Sequence, residues 1–152
     1  GHAFSMKVIF YNHRPKKVPE PWIQQVSFDE LLRQSDVLSL HVIQTPETID
    51  LINNDTIAEM KNGVIILNTA RGKLVNEADI RNALNEGKIY AYATDVVKGE
   101  PIASDSPLLQ AKNCYITPHI AWAPYETRDR LLHMTVDNIK AYLSGDLKNV
   151  IN

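Results

Sequence analysis

Arg71, Asp95, Glu100 and His119 are the residues whose types and positions can do chemistry. Arg71 follows an apolar run in "LNTARGKLVN". An arginine there can meet an anion through two parallel hydrogen bonds, which the point charge of a lysine does not reproduce. It reads equally as a surface arginine paired with a neighbouring carboxylate. Asp95 closes the next run in "ATDVVKGEP", and Glu100 follows in the same loop. A carboxylate beside a histidine orients the ring and favours its protonated form. Taken singly, each acid also reads as a cap or a solvated loop residue. His119 sits after a proline in "ITPHIAWAP". Imidazole holds and releases a proton near neutral pH, as a general acid must; a buried histidine that only holds a turn is the other reading.

These residues need elements to position them, and the chain supplies a regular alternation. The runs 7–11, 37–43, 63–69, 89–96 and 114–117 are nearly continuous in β-branched, aromatic and leucine residues. Strands covered on both faces read this way, and such strands belong mostly to parallel sheets. Helices lie between them. "SFDELLRQS" opens on Ser27 with Glu30 at capping-box spacing. "NEADIRNALNEGK" takes Asn76 as N-cap and stops at Gly87. A longer helix is predicted from Pro124 to about Ser144, with Gly145 as its stop, and its stripe of Leu132, Val136, Ile139 and Leu143 predicts core packing. The proline-rich stretch 14–22 reads as an irregular surface loop. The pattern predicts an α/β fold with a doubly wound parallel sheet.

Ligands of such sheets sit outside the carboxyl ends of the strands. The residues there are Asn12–Arg14, His41–Thr45, Asn68–Arg71, Asp95 and Thr117–Trp122. Arg71, Glu100 and His119 follow three successive strand ends, so their spacing permits convergence.

Composition narrows the class. The 152 residues are 44% apolar and 22% charged, with a net charge of −2, an ordinary globular balance that gives no reason to expect nucleic acid or a membrane as partner. No apolar run is long enough to cross a bilayer and no signal peptide is visible. The single cysteine, Cys114, excludes an internal disulfide and a multi-cysteine metal site, points to a cytoplasmic location and reads as a small core residue. No metal site is expected.

The pieces "HVIQTPET", "MKNGVIILNTARGKLVNEADI", "DVVKGEP", "PLL" and "ITPHIAWA" carry a resemblance that runs over nearly the whole chain. In order and spacing they resemble the C-terminal portion of the D-isomer-specific 2-hydroxyacid dehydrogenases, and "HIAW" is most similar to the branch acting on glyoxylate and hydroxypyruvate. The resemblance implies a Rossmann-type NAD(P)-binding domain over residues 1–122, with 123–152 forming a C-terminal helix and tail. It implies an oxidoreductase that reduces small 2-oxo acids to D-2-hydroxy acids. Arg71 would bind the carboxylate and carbonyl of the substrate. His119 would donate the proton, and Glu100 would pair with it and raise its proton affinity. Asp95 would hold the nicotinamide carboxamide, with Ala121 nearby and His119 and Trp122 beside the cofactor. Thr69, Ala70, Arg71 and the "HVIQT" turn (His41, Val42, Thr45) would line the cofactor; Trp122 reads also as wall packing. A developing alkoxide wants a positioned cation and an acid, and both residue types are present.

Two departures from the family pattern matter. An acid commonly ends the strand matching "MKVIFYN" and selects NAD; here Asn12, His13 and Arg14 stand at that end. A neutral residue beside an arginine tolerates a 2′-phosphate, so NAD and NADP both remain open. The second departure is that the chain contains no GxGxxG turn, the usual anchor of the pyrophosphate. The expectation is a fragment, produced by proteolysis, a shortened clone or gene truncation, that lacks the first strand and is inactive alone. A nucleotide-binding or inert fragment is the alternative to the enzyme. In the family order 3-2-1-4-5-6 the lost strand would lie between the runs 7–11 and 63–69, leaving two unpaired edges. A homodimer formed by edge pairing or swapping is the expected assembly.

Overall fold

Runs of β-branched and aromatic residues become parallel strands where helices can cover them. The computed structural model describes residues 1–151, and the chain divides into two units, Gly1–Pro118 and His119–Asn152. The first unit holds six strands: β1 (Val8–Phe10), β2 (Ile23–Gln25), β3 (Val37–Leu40), β4 (Val64–Asn68), β5 (Ile89–Thr94) and β6 (Cys114–Ile116). β1 and β2 pair in parallel, and β3-β4-β5-β6 form a four-stranded parallel sheet. Three helices join them: α1 (Phe28–Gln34), α2 (Asn54–Glu59) and α3 (Glu77–Glu86). The α/β, doubly wound parallel character is thus present.

Local chemistry explains the helix limits. At α1, Ser27 and Glu30 make the reciprocal capping box. At α3 the Asn76 side chain accepts from the amides of Ala78 and Asp79, and Gly87 closes the helix at φ 80°, where a Cβ would be strained. Ile80, Ala83 and Leu84 of α3 are buried in one cluster with Ile66 of β4 and Ile89 and Tyr92 of β5. Each such large apolar side chain contributes about 1.5–3 kcal/mol on leaving water.

Two elements have weak sequence signals. β2, "IQQ", has a single apolar residue and follows the predicted loop directly. The one-and-a-half turns of α2 are set by Asn53, whose side chain accepts from the amides of Asp55 and Thr56.

Three expectations are corrected. The strand flanking the gap was placed wrongly: β3 pairs with β4, from Val37 beside Ile65 to Leu40 beside Asn68. Among the described residues, the run 7–11 (β1) has an unpaired edge as expected, but the second such edge is that of β3 and not of 63–69, whose strand β4 is paired on both sides. The reason is topological, since the short connection through α2 returns the chain beside β3 as a parallel neighbour.

The second correction concerns the second unit and its helix α4 (Tyr125–Ser144), which ends at Gly145 with φ 77°. Its stripe is exposed, with Leu132 at 62%, Val136 at 39%, Ile139 at 55% and Leu143 at 78%. Periodicity gives a helix an apolar face, but burial needs a second surface, which periodicity does not supply. Third, Cys114 is half-buried at the margin of the core cluster, not inside it. Burial still pushes its thiol up to about 11, so it is a protonated, weakly nucleophilic group at neutral pH.

Candidate active site

All strands of a parallel sheet end at the same edge, so the loops after β3, β4, β5 and β6 begin side by side. The loop after β4 is built around Asn68. This residue is fully buried, yet its amide is satisfied on both sides. Its Nδ2 donates to the Arg71 carbonyl at 3.0 Å and to the Tyr92 hydroxyl at 3.3 Å, while its Oδ1 accepts from the Ala70 amide at 3.1 Å. One side chain therefore folds Thr69–Arg71 into a tight turn beyond the strand. Thr69 and Arg71 are exposed and Ala70 is half-buried. The Arg71 guanidinium donates through Nη1 to the Ala70 carbonyl at 2.6 Å.

The next strand end is tied to this turn. The Asp95 amide donates to the Asn68 carbonyl at 3.0 Å, and Thr94 Oγ1 lies 3.1 Å from the same oxygen. Asp95 is buried, and Thr117, just past β6, donates its hydroxyl to Asp95 Oδ1. Glu100 is exposed farther along the loop; its Oε1 accepts from the Val97 amide at 3.3 Å. Burial pushes the Tyr92 phenol, under Asn68, up to about 12, which keeps it neutral as a hydrogen-bond partner.

After β3, His41 is exposed, with Nε2 2.9 Å from the Ser39 hydroxyl. Val42 and Thr45 are half-buried. This turn is closed by Thr48, whose Oγ1 accepts from the Thr45 amide at 2.7 Å and donates to the Ile43 carbonyl. After β1, Asn12 donates to the Arg14 carbonyl at 2.8 Å, which spends its amide group on its own turn. The Gln25 side chain clamps the same segment: Nε2 donates to the carbonyls of Asn12 and Arg14, and Oε1 accepts from the Lys16 amide. His13 and Arg14 are exposed on this fixed turn.

The structure thus brings Arg71, Asp95 and the start of the Glu100 loop to one edge of the first unit. His119, Ala121 and Trp122 belong to the second unit. There His119 adopts φ 55°, a left-handed conformation that histidine visits more readily than most residues. The turn is closed by the Trp122 indole, which donates to the His119 carbonyl at 2.7 Å. Trp122 is 56% exposed, so it does not pack as a wall in this chain.

Tyr92, Thr94 and Gln25 are organising residues that sequence reasoning missed, and it places Asn68 at a strand end without its role. Asn68 carried a visible signal, a polar residue closing the apolar run "VIILN". Gln25 carried none, because its role depends on the pairing of β1 with β2.

The family model described as D-isomer specific 2-hydroxyacid dehydrogenase, NAD binding domain, matches residues 1–121. A hydroxypyruvate reductase of Blautia hydrogenotrophica is 49% identical over 153 residues, covering 100% of this chain and 48% of that protein. Among solved structures, a D-lactate dehydrogenase with NAD+ from Lactobacillus jensenii superposes with a TM-score of 0.91 at 27% identity, over 99% of this chain and 49% of that one. An acyclic imino acid reductase in complex with NADPH and D-Arg gives 0.87 at 32% identity, over 99% and 48%. The chain spans about half the length of the relatives it matches.

Proposed function

The chain belongs to the D-isomer specific 2-hydroxyacid dehydrogenase family, and from that membership we propose that the protein reduces small 2-oxo acids of the glyoxylate and hydroxypyruvate type to D-2-hydroxy acids. The observation that carries the reading is the turn built by Asn68, which presents Arg71 at the strand edge beside the buried carboxylate of Asp95.

The donor set suits a nicotinamide dinucleotide. Asp95 is a carboxylate acceptor of the kind a carboxamide needs, and the half-buried Val42, Thr45 and Ala70 offer a small, partly apolar lining at the same edge. Asp95, Ala121, Thr69, Ala70, Val42, Thr45 and the Asn12–Arg14 turn would hold it, with His41 and Trp122 beside it. That cofactor supplies the hydride. Arg71 binds the substrate carboxylate through paired hydrogen bonds and polarises the carbonyl. His119 gives its proton to the carbonyl oxygen as negative charge develops there, and Glu100 favours the charged imidazole that does so. A named hydroxypyruvate reductase among the relatives supports this substrate class. Relatives bound to NAD+ and to NADPH leave both cofactors in play.

The test is oxidation of NADH and NADPH with glyoxylate, hydroxypyruvate and pyruvate by the full-length protein. Turnover with the first two supports the assignment, and cofactor binding without turnover would leave a nucleotide-binding module instead. The 152-residue chain by itself, with no GxGxxG turn, is expected to show none. No helix among the described residues is long and apolar enough to cross a membrane.

A further inference from the structure

The loop after β5 carries Glu100, and its Val97–Lys98 peptide is held by contacts that the proposed chemistry does not use. Gly72 follows Arg71 directly and is buried. A Cβ added there would lie 2.0 Å from the Val97 carbonyl carbon, 2.1 Å from its oxygen and 2.5 Å from the Lys98 nitrogen. The Arg71–Gly72 backbone therefore presses against the Val97–Lys98 peptide at a distance only glycine allows. This is a requirement of space, since Gly72 is not in the left-handed region.

Glu77, the first residue of α3, bonds the same peptide. Its Oε1 accepts from the Lys98 amide at 2.7 Å, and its Oε2 pairs with the Ser106 hydroxyl at 3.3 Å. One carboxylate thus ties both ends of the loop that carries Glu100 to the helix following the Arg71 turn. Between these ties, Glu100 accepts from the Val97 amide, the residue that Gly72 touches. A cleft of about 250 Å³ is lined by Glu77, Val97, Ile102 and Ser106 among others, while Val97 also packs against the core cluster.

We propose that Glu77 is a positioning residue: clamped across Lys98 and Ser106, with Gly72 packed against the same Val97–Lys98 peptide, it holds Glu100 in register with Arg71. The inference rests on the functional reading above. It differs from a helix-cap role in what it demands of the side chain, which is reach and two hydrogen bonds rather than charge.

Conservative variants of the full-length protein separate these demands. Glu77→Asp keeps the charge at the start of α3 but is one methylene too short to hold both partners. Glu77→Gln loses the charge but still accepts from the Lys98 amide through its oxygen, while its NH₂ donates to the Ser106 oxygen. With hydroxypyruvate as substrate, Glu77→Asp is expected to lower kcat/KM about tenfold, as small misplacements of catalytic groups do. The loss should fall on kcat, with KM for hydroxypyruvate within about twofold of wild type, because Arg71 keeps its place while Glu100 does not. Glu77→Gln should stay within about twofold of wild type in both kcat and KM, since its two hydrogen bonds persist. A wild-type kcat for Glu77→Asp in the active enzyme would overturn the proposal, and so would a Glu77→Gln impaired as much as Glu77→Asp. Absence of turnover in the wild type, with Arg71→Ala indistinguishable from it in 2-oxo acid binding, would instead overturn the functional reading itself.

Discussion

Replacing Asn68 with leucine probes the turn that presents Arg71. The side chain is fully buried and makes three hydrogen bonds. Leucine keeps the branched outline but is larger, so no cavity opens; the loss is polar, with any overpacking of this buried site adding to it. Each bond contributes about 1 kcal/mol net, and a buried group left without a partner loses about 1–3 kcal/mol. The Ala70 amide and Arg71 carbonyl lie on half-buried and exposed residues and recover water on leaving the turn. The Tyr92 hydroxyl is buried at 0% exposure and does not, but it keeps its hydrogen bond with the Thr94 side chain. Three lost bonds sum to a destabilisation of roughly 3 kcal/mol. Tyr92→Phe removes the 3.3 Å bond and the one with Thr94, and should lose about 1–2 kcal/mol. Because the two residues touch, the double variant should be less destabilised than the sum by about 0.5–1 kcal/mol. Urea titration of the full-length protein, followed by circular dichroism, measures all three. A loss below 1 kcal/mol for Asn68→Leu would refute the claim that this amide organises the turn. Strict additivity with Tyr92→Phe would refute the contact. The same variant should raise KM for the 2-oxo acid, since Arg71 loses its fixed backbone.

Arg71→Ala should raise KM for the 2-oxo acid and lower kcat, whereas His119→Ala should mainly lower kcat by removing a proton transfer made in the transition state; steady-state kinetics separates them, and equal, small effects would contradict both roles. Arg14→Ala should weaken NADPH more than NADH, because Arg14 sits exposed on the Gln25-clamped turn where a 2′-phosphate would be read; a wild-type strongly selective for NADH would sink the NADP option. Tyr92 makes stability fall at high pH. Its folded phenol is raised to about 12 by burial against about 10 in the unfolded chain. The neutral form is favoured by folding, so this contribution is complete below pH 10 and is lost as pH rises toward 12. Tyrosinate absorbance paired with urea titrations at pH 9 and 11 checks it, and a Tyr92→Phe variant should lack that part of the decline.

What could be read from the chain and what could not divide along physical lines. Asn76 and Gly87 bound α3 in the structure as they do in the sequence, because a cap and a left-handed stop act within one turn of backbone. The parallel strands were legible for a related reason: burial on both faces leaves a run of apolar residues that needs no knowledge of the neighbour. Identity of the neighbour was not legible. The pairing of β3 with β4 and the use of Gln25 as a clamp depend on which strands meet, and no local pattern encodes that. The stripe on α4 shows the limit from the other side. Its period was read correctly, but the same period serves a helix face that is buried and one that is exposed. The candidate site repeats this division. Arg71 and Asp95 stand out as candidates because charged residues directly after apolar runs are conspicuous, and Glu100 because it follows in the loop of Asp95. Asn68, Gly72 and Glu77 were not singled out, because each works through a backbone group of another loop: Asn68 through the Arg71 carbonyl, Gly72 against the Val97 carbonyl and Glu77 on the Lys98 amide. Groups proposed to face substrate can announce themselves by type. Groups that position them are chosen by reach and by the absence of atoms, and those are properties of the folded chain alone.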